Sequence, residues 1–371
     1  MQFALNADQA LLKDAVECFL DGHYGPTRSR VFGANSIGYD LEIWRGMAGL
    51  GLLGLPFSTA DGGLNGGPWE LITVMEVLGR RMAIEPMLDE VVMAAGLLSR
   101  AGDPMQKAEW LPRIIAGEAH LAMAHFEHGA RFNLQRVQVR AQSRPGAVLL
   151  YGEKSVVPLA GAADAWIVSA RERGDSADPS GIGFYFVSPT AAGIERRDFR
   201  LLDGTIASSI VFKGTATQGR LQGGYDAFAS AVDIARVAAG AEMVGIMSSL
   251  FDSTLDYLRT RKQFGTSLSN FQAIQHRLAD LYVLLEQSRS HLYRAAFAVE
   301  SQCNVARSVA GMKYYISSAA VEMGEECVHL HGGIGTTNEL LLGFGYKRLM
   351  VLASLFGDAN TELARFTRMA S

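Results

Sequence analysis

The spacing of apolar positions changes twice along the chain and divides it into three regions. From about residue 6 to 119 the period is helical: Leu11, Leu12, Ala15, Val16, Phe19 and Leu20 recur at i, i+3 and i+4, one face of a 3.6-residue helix. Pro56, Gly62, Gly63, Gly66, Gly67 and Pro68 break the pattern as a loop, and 69–78 and 93–98 resume it. From 120 to 225 the pattern alternates. Segments 136–141, 148–151, 165–169, 183–187 and 208–212 are short, rich in β-branched or aromatic residues, and bounded by Gly, Pro, Asp and Ser, as antiparallel strands are. Beyond 226 long helices return. Phe271, Ile274, Leu278, Leu281, Leu284 and Leu285 mark the buried stripe of one, with Arg277, Asp280 and Glu286 on its polar face. The expectation is an α+β chain: an N-terminal helical domain (1–119), a middle antiparallel β domain (120–225) and a C-terminal helical bundle (226–371).

That order argues against the doubly wound nucleotide-binding folds, and neither GxGxxG after a strand nor GxxxxGK[ST] is present. With 49% hydrophobic and 19% charged residues over 371 positions, there is material for more than one packed core. A net charge of −4 gives no electrostatic reason to bind nucleic acid or an anionic membrane. Cys18, Cys303 and Cys327 lie far apart without a CxxC pattern and read as reduced, mostly buried thiols. Asp8, Lys13, Asp14 and Glu17 interrupt the N-terminal apolar residues, so no secretory leader is expected. No unbroken apolar run approaches the roughly 20 residues a bilayer needs. These features predict a soluble, cytoplasmic protein.

Two local motifs carry candidate chemistry. Arg261-Lys262-Gln263-Phe264-Gly265, followed by Phe271-Gln272-Ala273-Ile274-Gln275-His276, places a cation, an aromatic ring and an amide on adjoining helix ends. Such a set can bind a diphosphate, stack on a flat ring and hydrogen-bond; equally, it can be a helix end with a solvated Arg and a buried Phe. The stretch His329-Leu330-His331-Gly332-Gly333-Ile334-Gly335-Thr336-Thr337-Asn338-Glu339 has glycines dense enough for close ligand approach, or for a helix C-cap and turn. His120, His125, His128, His329 and His331 suggest a metal cluster only superficially, since no carboxylate or thiolate set accompanies them and i, i+2 residues on a helix face apart.

Taken in order and spacing, these motifs resemble the acyl-CoA dehydrogenase family over essentially the whole chain. Trp44 to Leu55 (WRGMAGLGLLGL), the loop at Gly62 to Gly67 and Glu76-Val77-Leu78-Gly79 look like its first helical domain. RKQFG with FQAIQ downstream, and the late GGIG, are its most specific signature. The resemblance implies a C-terminal four-helix bundle and FAD between the β domain and that bundle, with part of the cofactor site supplied by a neighbouring subunit. It implies that Arg261, Phe264 and Gln272 reach the adenosine-diphosphate half of a neighbour's FAD. His329, Gly332 and Gly333 would meet the same cofactor, although many relatives carry Gln where His329 stands. Asp358 and Asn360 would lie beside the flavin, and Arg236 near the substrate.

The sequence departs from the family at the chemistry itself. A base must remove the α-proton of an acyl thioester while the β-hydrogen leaves as hydride. The family's glutamate falls either where this chain has Phe356 or, in some relatives, where it has Ala235; neither accepts a proton. Asp358 is the remaining candidate in the chain. The flavin-contacting segment, T-E-P-x-A-G-S-D in relatives, reads Phe126-Glu127-His128-Gly129-Ala130-Arg131-Phe132-Asn133, and a Trp-x-Thr pair reads Val156-Val157-Pro158. This mixture is most similar to the small subunits of heteromeric acyl-CoA dehydrogenases of the pimeloyl-CoA or steroid side-chain type. The expected activity is FAD-dependent α,β-dehydrogenation of an acyl-CoA, with an electron acceptor such as an electron-transfer flavoprotein. The assembly would be a tetramer with a homologous subunit or with copies of this chain. Two alternatives stay open: a catalytically silent subunit completing a partner's FAD site, or another flavin reaction on the same fold.

Overall fold

The structure, a computed structural model, describes residues 5–24, 38–337 and 340–369. In chain order the elements run helices, strands, helices. The first helices are α1 (Ala7–His23), α2 (Leu41–Gly49), α3 (Pro68–Arg80), α4 (Gly96–Ala101) and α5 (Pro104–Ile115). The strands are β1 (Leu121–Ala124), β2 (Arg140–Arg144), β3 (Ala147–Pro158), β4 (Ala165–Arg171), β5 (Ile182–Val187), β6 (Ile194–Arg200), β7 (Ile206–Ala216) and β8 (Gly219–Arg220). Helix α6 (Tyr225–Thr260) leads to a hairpin of β9 (Lys262–Gln263) and β10 (Thr266–Ser267). Helices α7 (Gln272–Ser301), α8 (Val305–His331), α9 (Leu341–Ser354) and α10 (Ala359–Arg368) follow. Spatial grouping cuts across chain order. The described residues within 1–34, 67–83 and 236–371 form one compact unit, and those within 35–66 and 84–235 form the other.

Local sequence sets the helix ends. Asn6 and Gln9 form a capping box on α1, and Asp103 and Gln106 form one on α5, where Pro104 takes the first turn. Within the helical unit, α3 and α6 touch backbone to backbone. A methyl group at Gly79 would overlap the Glu242 carbonyl, and one at Gly245 would overlap the Glu76 carbonyl. Buried ion pairs tie the C-terminal helices to α6: Glu242 Oε1 meets Arg348 Nε at 2.7 Å, and Arg236 Nη2 meets Glu362 Oε1 at 2.7 Å. Helix α6 is also long and apolar enough to cross a bilayer, which inspection for an unbroken apolar run misses. Its most apolar stretch is 83% buried within the protein, as a core helix is.

In the other unit the sheet order is β6-β7-β3-β2-β4-β5-β8, with β1 pairing β4 in parallel. The ladder is otherwise antiparallel except for one parallel pairing of β2 with β4. Trp166, Phe184, Phe212 and Phe228 fill its core. The strand expected at 136–141 begins only at Arg140. Upstream of it, Gln138 and Val139 give their N–H groups to the Glu127 carboxylate, and Val137 gives its own to the Ser176 carbonyl, so no ladder forms. The helix expected at 93–98 is the end of a longer run, entered through a π-helical segment, Met87–Ala95. The thiols differ from expectation too: Cys327 is buried, but Cys18 and Cys303 are exposed.

Replacing Gly245 with Ala should lower stability by about 1–3 kcal/mol or more, because a rigid backbone carbonyl occupies the space the methyl needs. Urea denaturation measures it, and an unchanged midpoint and slope would contradict the close approach of α3 and α6.

Candidate functional site

At the far end of α6 the chain turns through the β9–β10 hairpin, where Gln263 pairs Thr266 and Lys262 pairs Ser267. Its two central residues, Phe264 (φ 51) and Gly265 (φ 82), both have the positive φ that a type I′ turn requires. A bulky aromatic in that region is strained, and the Phe264 ring is 91% exposed, touching Phe271 edge-on at 6.3 Å. The fold itself gains little from such a ring. Arg261 and Gln272 are exposed beside it, and the Arg261 guanidinium has no side-chain partner among the described residues.

The end of α8 reaches the same place. Tyr257, one turn before Arg261, stacks on His331 with centroids 4.4 Å apart and donates its hydroxyl to the His331 carbonyl at 3.3 Å. His331 donates Nδ1–H to the Cys327 carbonyl, and burial lowers its pKa. His329 is exposed and bonded to Arg277 of α7 at 2.8 Å. Gly332 follows with φ +66 and ψ −145, a conformation open essentially to glycine alone. Nothing lies within 4 Å of where a Cβ would stand on Gly332 or Gly333. Arg261, Phe264, Gln272, His329, Gly332 and Gly333 therefore share one end of the helical unit; Asn338 and Glu339 lie outside the described residues. A free guanidinium, an exposed ring, an amide, an imidazole and two bare glycines fit a nucleotide's diphosphate, base and sugar.

Arg236 lies about 36 Å back along α6 from Thr260, at 1.5 Å per residue. Its guanidinium is buried and donates to the Phe356 carbonyl through Nε (3.0 Å) and Nη2 (2.7 Å). The same Nη2 meets Glu362, whose other oxygen takes Arg365 at 3.2 Å. Phe356 is buried at φ 62, and Gly357 follows at φ 130; a Cβ on Gly357 would stand 2.5 Å from Glu362 Oε1. Asp358 caps α10, accepting from the Thr361 N–H at 2.8 Å, and Asn360 is exposed in that helix's first turn. Arg236, Phe356, Asp358 and Asn360 thus gather on one turn, with Arg236 holding its main chain. Ala235 is fully buried and belongs to the other unit.

In that other unit the Phe126–Asn133 segment is held by its own polar network. Fully buried Lys154 donates to Glu127 Oε1 (2.6 Å), Ser169 Oγ (2.8 Å) and the His125 carbonyl (3.1 Å), while His125 Nδ1 meets Ser169 Oγ at 3.0 Å. Burial, offset by Glu127, brings the Lys154 pKa down to about 8. Phe126 bridges Val156 of β3.

Sequence reasoning passed over three groups. Lys313 is fully buried and donates to the carbonyls of Leu352 (2.6 Å) and Ala353 (3.1 Å) just before the Phe356 turn. Its signal was available: it falls in the buried stripe with Val309, Met312 and Ile316. Glu362 is fully buried, but its neighbours in sequence are polar or exposed and nothing local marks it. Glu90 sits on the π-helical segment, bonded to His120 at 2.8 Å, with His120 bonded in turn to Tyr39 at 3.0 Å. Burial pushes the Glu90 pKa up to about 7.

Family models agree with this architecture. "Acyl-CoA dehydrogenase, N-terminal domain" matches residues 6–118, and "Acyl-CoA dehydrogenase, C-terminal domain" matches residues 222–370. The chain belongs to the acyl-CoA dehydrogenase family. It is 25% identical to mitochondrial isovaleryl-CoA dehydrogenase of Pongo abelii over 350 residues, covering 91% of this chain and 83% of that one. Among solved structures, a variant of the Tcur3481–Tcur3483 steroid ACAD superposes with a TM-score of 0.89 at 26% identity, covering 98% of this chain and 97% of that one. The ChsE4–ChsE5 complex of Mycobacterium tuberculosis superposes with a TM-score of 0.91 at 25% identity, covering 100% and 99%.

Burial, with Arg236 nearby, brings the Lys313 pKa from 10.5 to about 7, against the opposing pull of Glu362 and Asp358. Between about 7 and 10.5 the unfolded chain keeps this proton and the folded chain has released it, so stability rises with pH across that window. Relative to Lys313→Met, the wild type should gain stability there with a slope approaching about 1.4 kcal/mol per pH unit. Urea titrations at successive pH values test it; parallel curves would mean that Lys313 keeps an ordinary pKa.

Proposed function

We propose that this chain is one subunit of a heteromeric, FAD-dependent acyl-CoA dehydrogenase, and that its hairpin end completes the FAD site of a neighbouring chain. The observation that carries the reading is Phe264: a strained, 91% exposed ring beside an arginine with no side-chain partner among the described residues, just past the end of α6, whose rise puts Thr260 about 36 Å from Arg236. Residues so far apart on one helix serve two sites, and the hairpin end makes sense when another chain uses it. Arg261 clamps the diphosphate, Phe264 offers a face for stacking, and the bare surface at Gly332 and Gly333 admits the nucleotide. FAD, when bound, supplies the two-electron acceptor for oxidation of the CH–CH bond, and an electron-transfer flavoprotein is a fitting next acceptor.

At the other end, the main chain at Phe356 is held by Arg236, while the side chain offers no base. A partner with glutamate at either equivalent position supplies the α-proton acceptor, giving one active centre for each pair of chains in a tetramer. The resemblance to the steroid enzyme favours an acyl-CoA with a bulky polycyclic or otherwise large acyl group. The second reading, a silent subunit that only completes the partner's site, draws on the Phe126–Asn133 segment. Its Glu127 carboxylate is occupied by Lys154 and by the N–H groups of Gln138 and Val139.

Two outcomes are expected. Arg261→Ala should lose a charge-assisted contact of about 1.5–3 kcal/mol, seen as flavin lost from the assembled protein on dilution and gel filtration. Full retention would remove Arg261 from the cofactor site. Expressed alone, the chain should turn over acyl-CoA thioesters about 10²–10⁴-fold more slowly than the assembled pair. Asp358→Asn keeps the cap on α10, so it separates base from scaffold. Robust activity of the lone chain, abolished by Asp358→Asn, would make Asp358 the base and end the shared-site reading.

A further inference from the structure

Among the described residues, the imidazole of His329 is held from one side only. Arg277 Nη2 lies 2.8 Å from His329 Nδ1, and a guanidinium has donors and no acceptor. Nδ1 must therefore be the accepting, unprotonated nitrogen, and the neutral ring carries its hydrogen on Nε2. The arginine is itself fixed: its Nε donates to Glu326 Oε2 at 2.8 Å, and Nη2 meets the same oxygen. Glu326 and His329 stand three residues apart on α8, on the same helical face, so one arginine from α7 spans both. His329 is exposed, and the bare main chain of Gly332 and Gly333 begins three residues further on.

We propose that Arg277 and Glu326 are positioning residues that lock His329 in its Nε2–H tautomer, making it a fixed hydrogen-bond donor to an acceptor atom on the adenosine-diphosphate half of FAD. This rests on the reading that the hairpin end completes a neighbour's FAD site. A glutamine, which many relatives carry here, presents an amide donor without choosing a tautomer. A histidine can carry its hydrogen on either nitrogen, and a donor held against Nδ1, here Arg277, fixes it on Nε2. Glu326 offsets the charge of the arginine beside the ring. Replacing Arg277 alone would strand the Glu326 carboxylate, so the informative variant is Arg277→Met with Glu326→Gln.

The test uses the assembled protein with its partner subunit and FAD as the probe. Long-range proton–nitrogen spectra of ¹⁵N-histidine-labelled protein report the tautomer, with His329 assigned by its loss in His329→Gln. The wild type should show His329 with the proton on Nε2, and Arg277→Met/Glu326→Gln should show a mixture of tautomers. FAD affinity, followed by flavin fluorescence, should fall about three- to tenfold in that double variant, the scale of one neutral hydrogen bond. Adding His329→Gln to the same background should restore most of the affinity. An Nδ1–H tautomer in the wild type, an unchanged tautomer in the double variant, or equal FAD affinity in both would each overturn the role of Arg277 and Glu326. Assembled wild type that holds no FAD would instead overturn the parent reading and, with it, the proposed target of the donor.

Discussion

The helical unit depends on the fit of α3 against α6. Gly79 and Gly245 let the two backbones meet with no side chain between them, which fixes both the distance and the register of the crossing. From that crossing α6 runs as a single rod from Arg236 to Thr260, buried as far as Leu250 and increasingly exposed beyond it. Every residue assigned to a site in this unit takes its place from the rod. The Phe356 turn is held against its beginning by Arg236, and the hairpin with the α8 terminus is held against its end by Tyr257. The separation of the two ends is a property of helix rise and cannot be altered by loop movement.

Buried charge is the second organising feature. Arg236, Glu242, Arg348, Lys313 and Glu362 are all buried, and each is matched by a charge or by main-chain carbonyls. Such pairs add little net stability compared with apolar packing, but removing one member leaves the other stranded at a cost of about 3–5 kcal/mol. They therefore act as registration marks. Helices α9 and α10 could slide along an apolar groove with modest loss, but they cannot slide away from Glu242, Arg236 and Lys313 without leaving a buried charge, or the Lys313 amine and the carbonyls it bonds, without a partner. Lys154 and Glu127 do the same for the loop that precedes β2.

Much of this was legible in the sequence where one period dominated. The helices at both ends and the strands near 148, 165, 183 and 208 were read from hydrophobic spacing, because each has a clear buried face. Strand β6, IERRDFR, escaped because it lies at the sheet edge with almost no buried position and shows no alternation. Strand β1, LAMA, escaped for the opposite reason: all four residues are buried, and none is β-branched or aromatic. The segment before Arg140 misled because strand-like residues there spend their amides on a carboxylate eleven and twelve positions away. The candidate site was half legible. Motif residues at the hairpin and glycine stretch were named in advance, but Glu362, Arg277 and Glu326 owe their places to partners distant in sequence (Arg236 for the first, each other for the last two), a relation no local window contains.

The turn at Phe356 separates conformation from chemistry. Its path is set through main-chain atoms, the Phe356 carbonyl gripped by Arg236 and the Gly357 backbone passing over Glu362, contacts that do not run through the buried phenyl ring at 356. A lineage can therefore exchange what projects from that position, phenyl for carboxylate or the reverse, and keep the same main-chain path. The reactive group at such a turn can change by a single codon while the scaffold around it stays as it was.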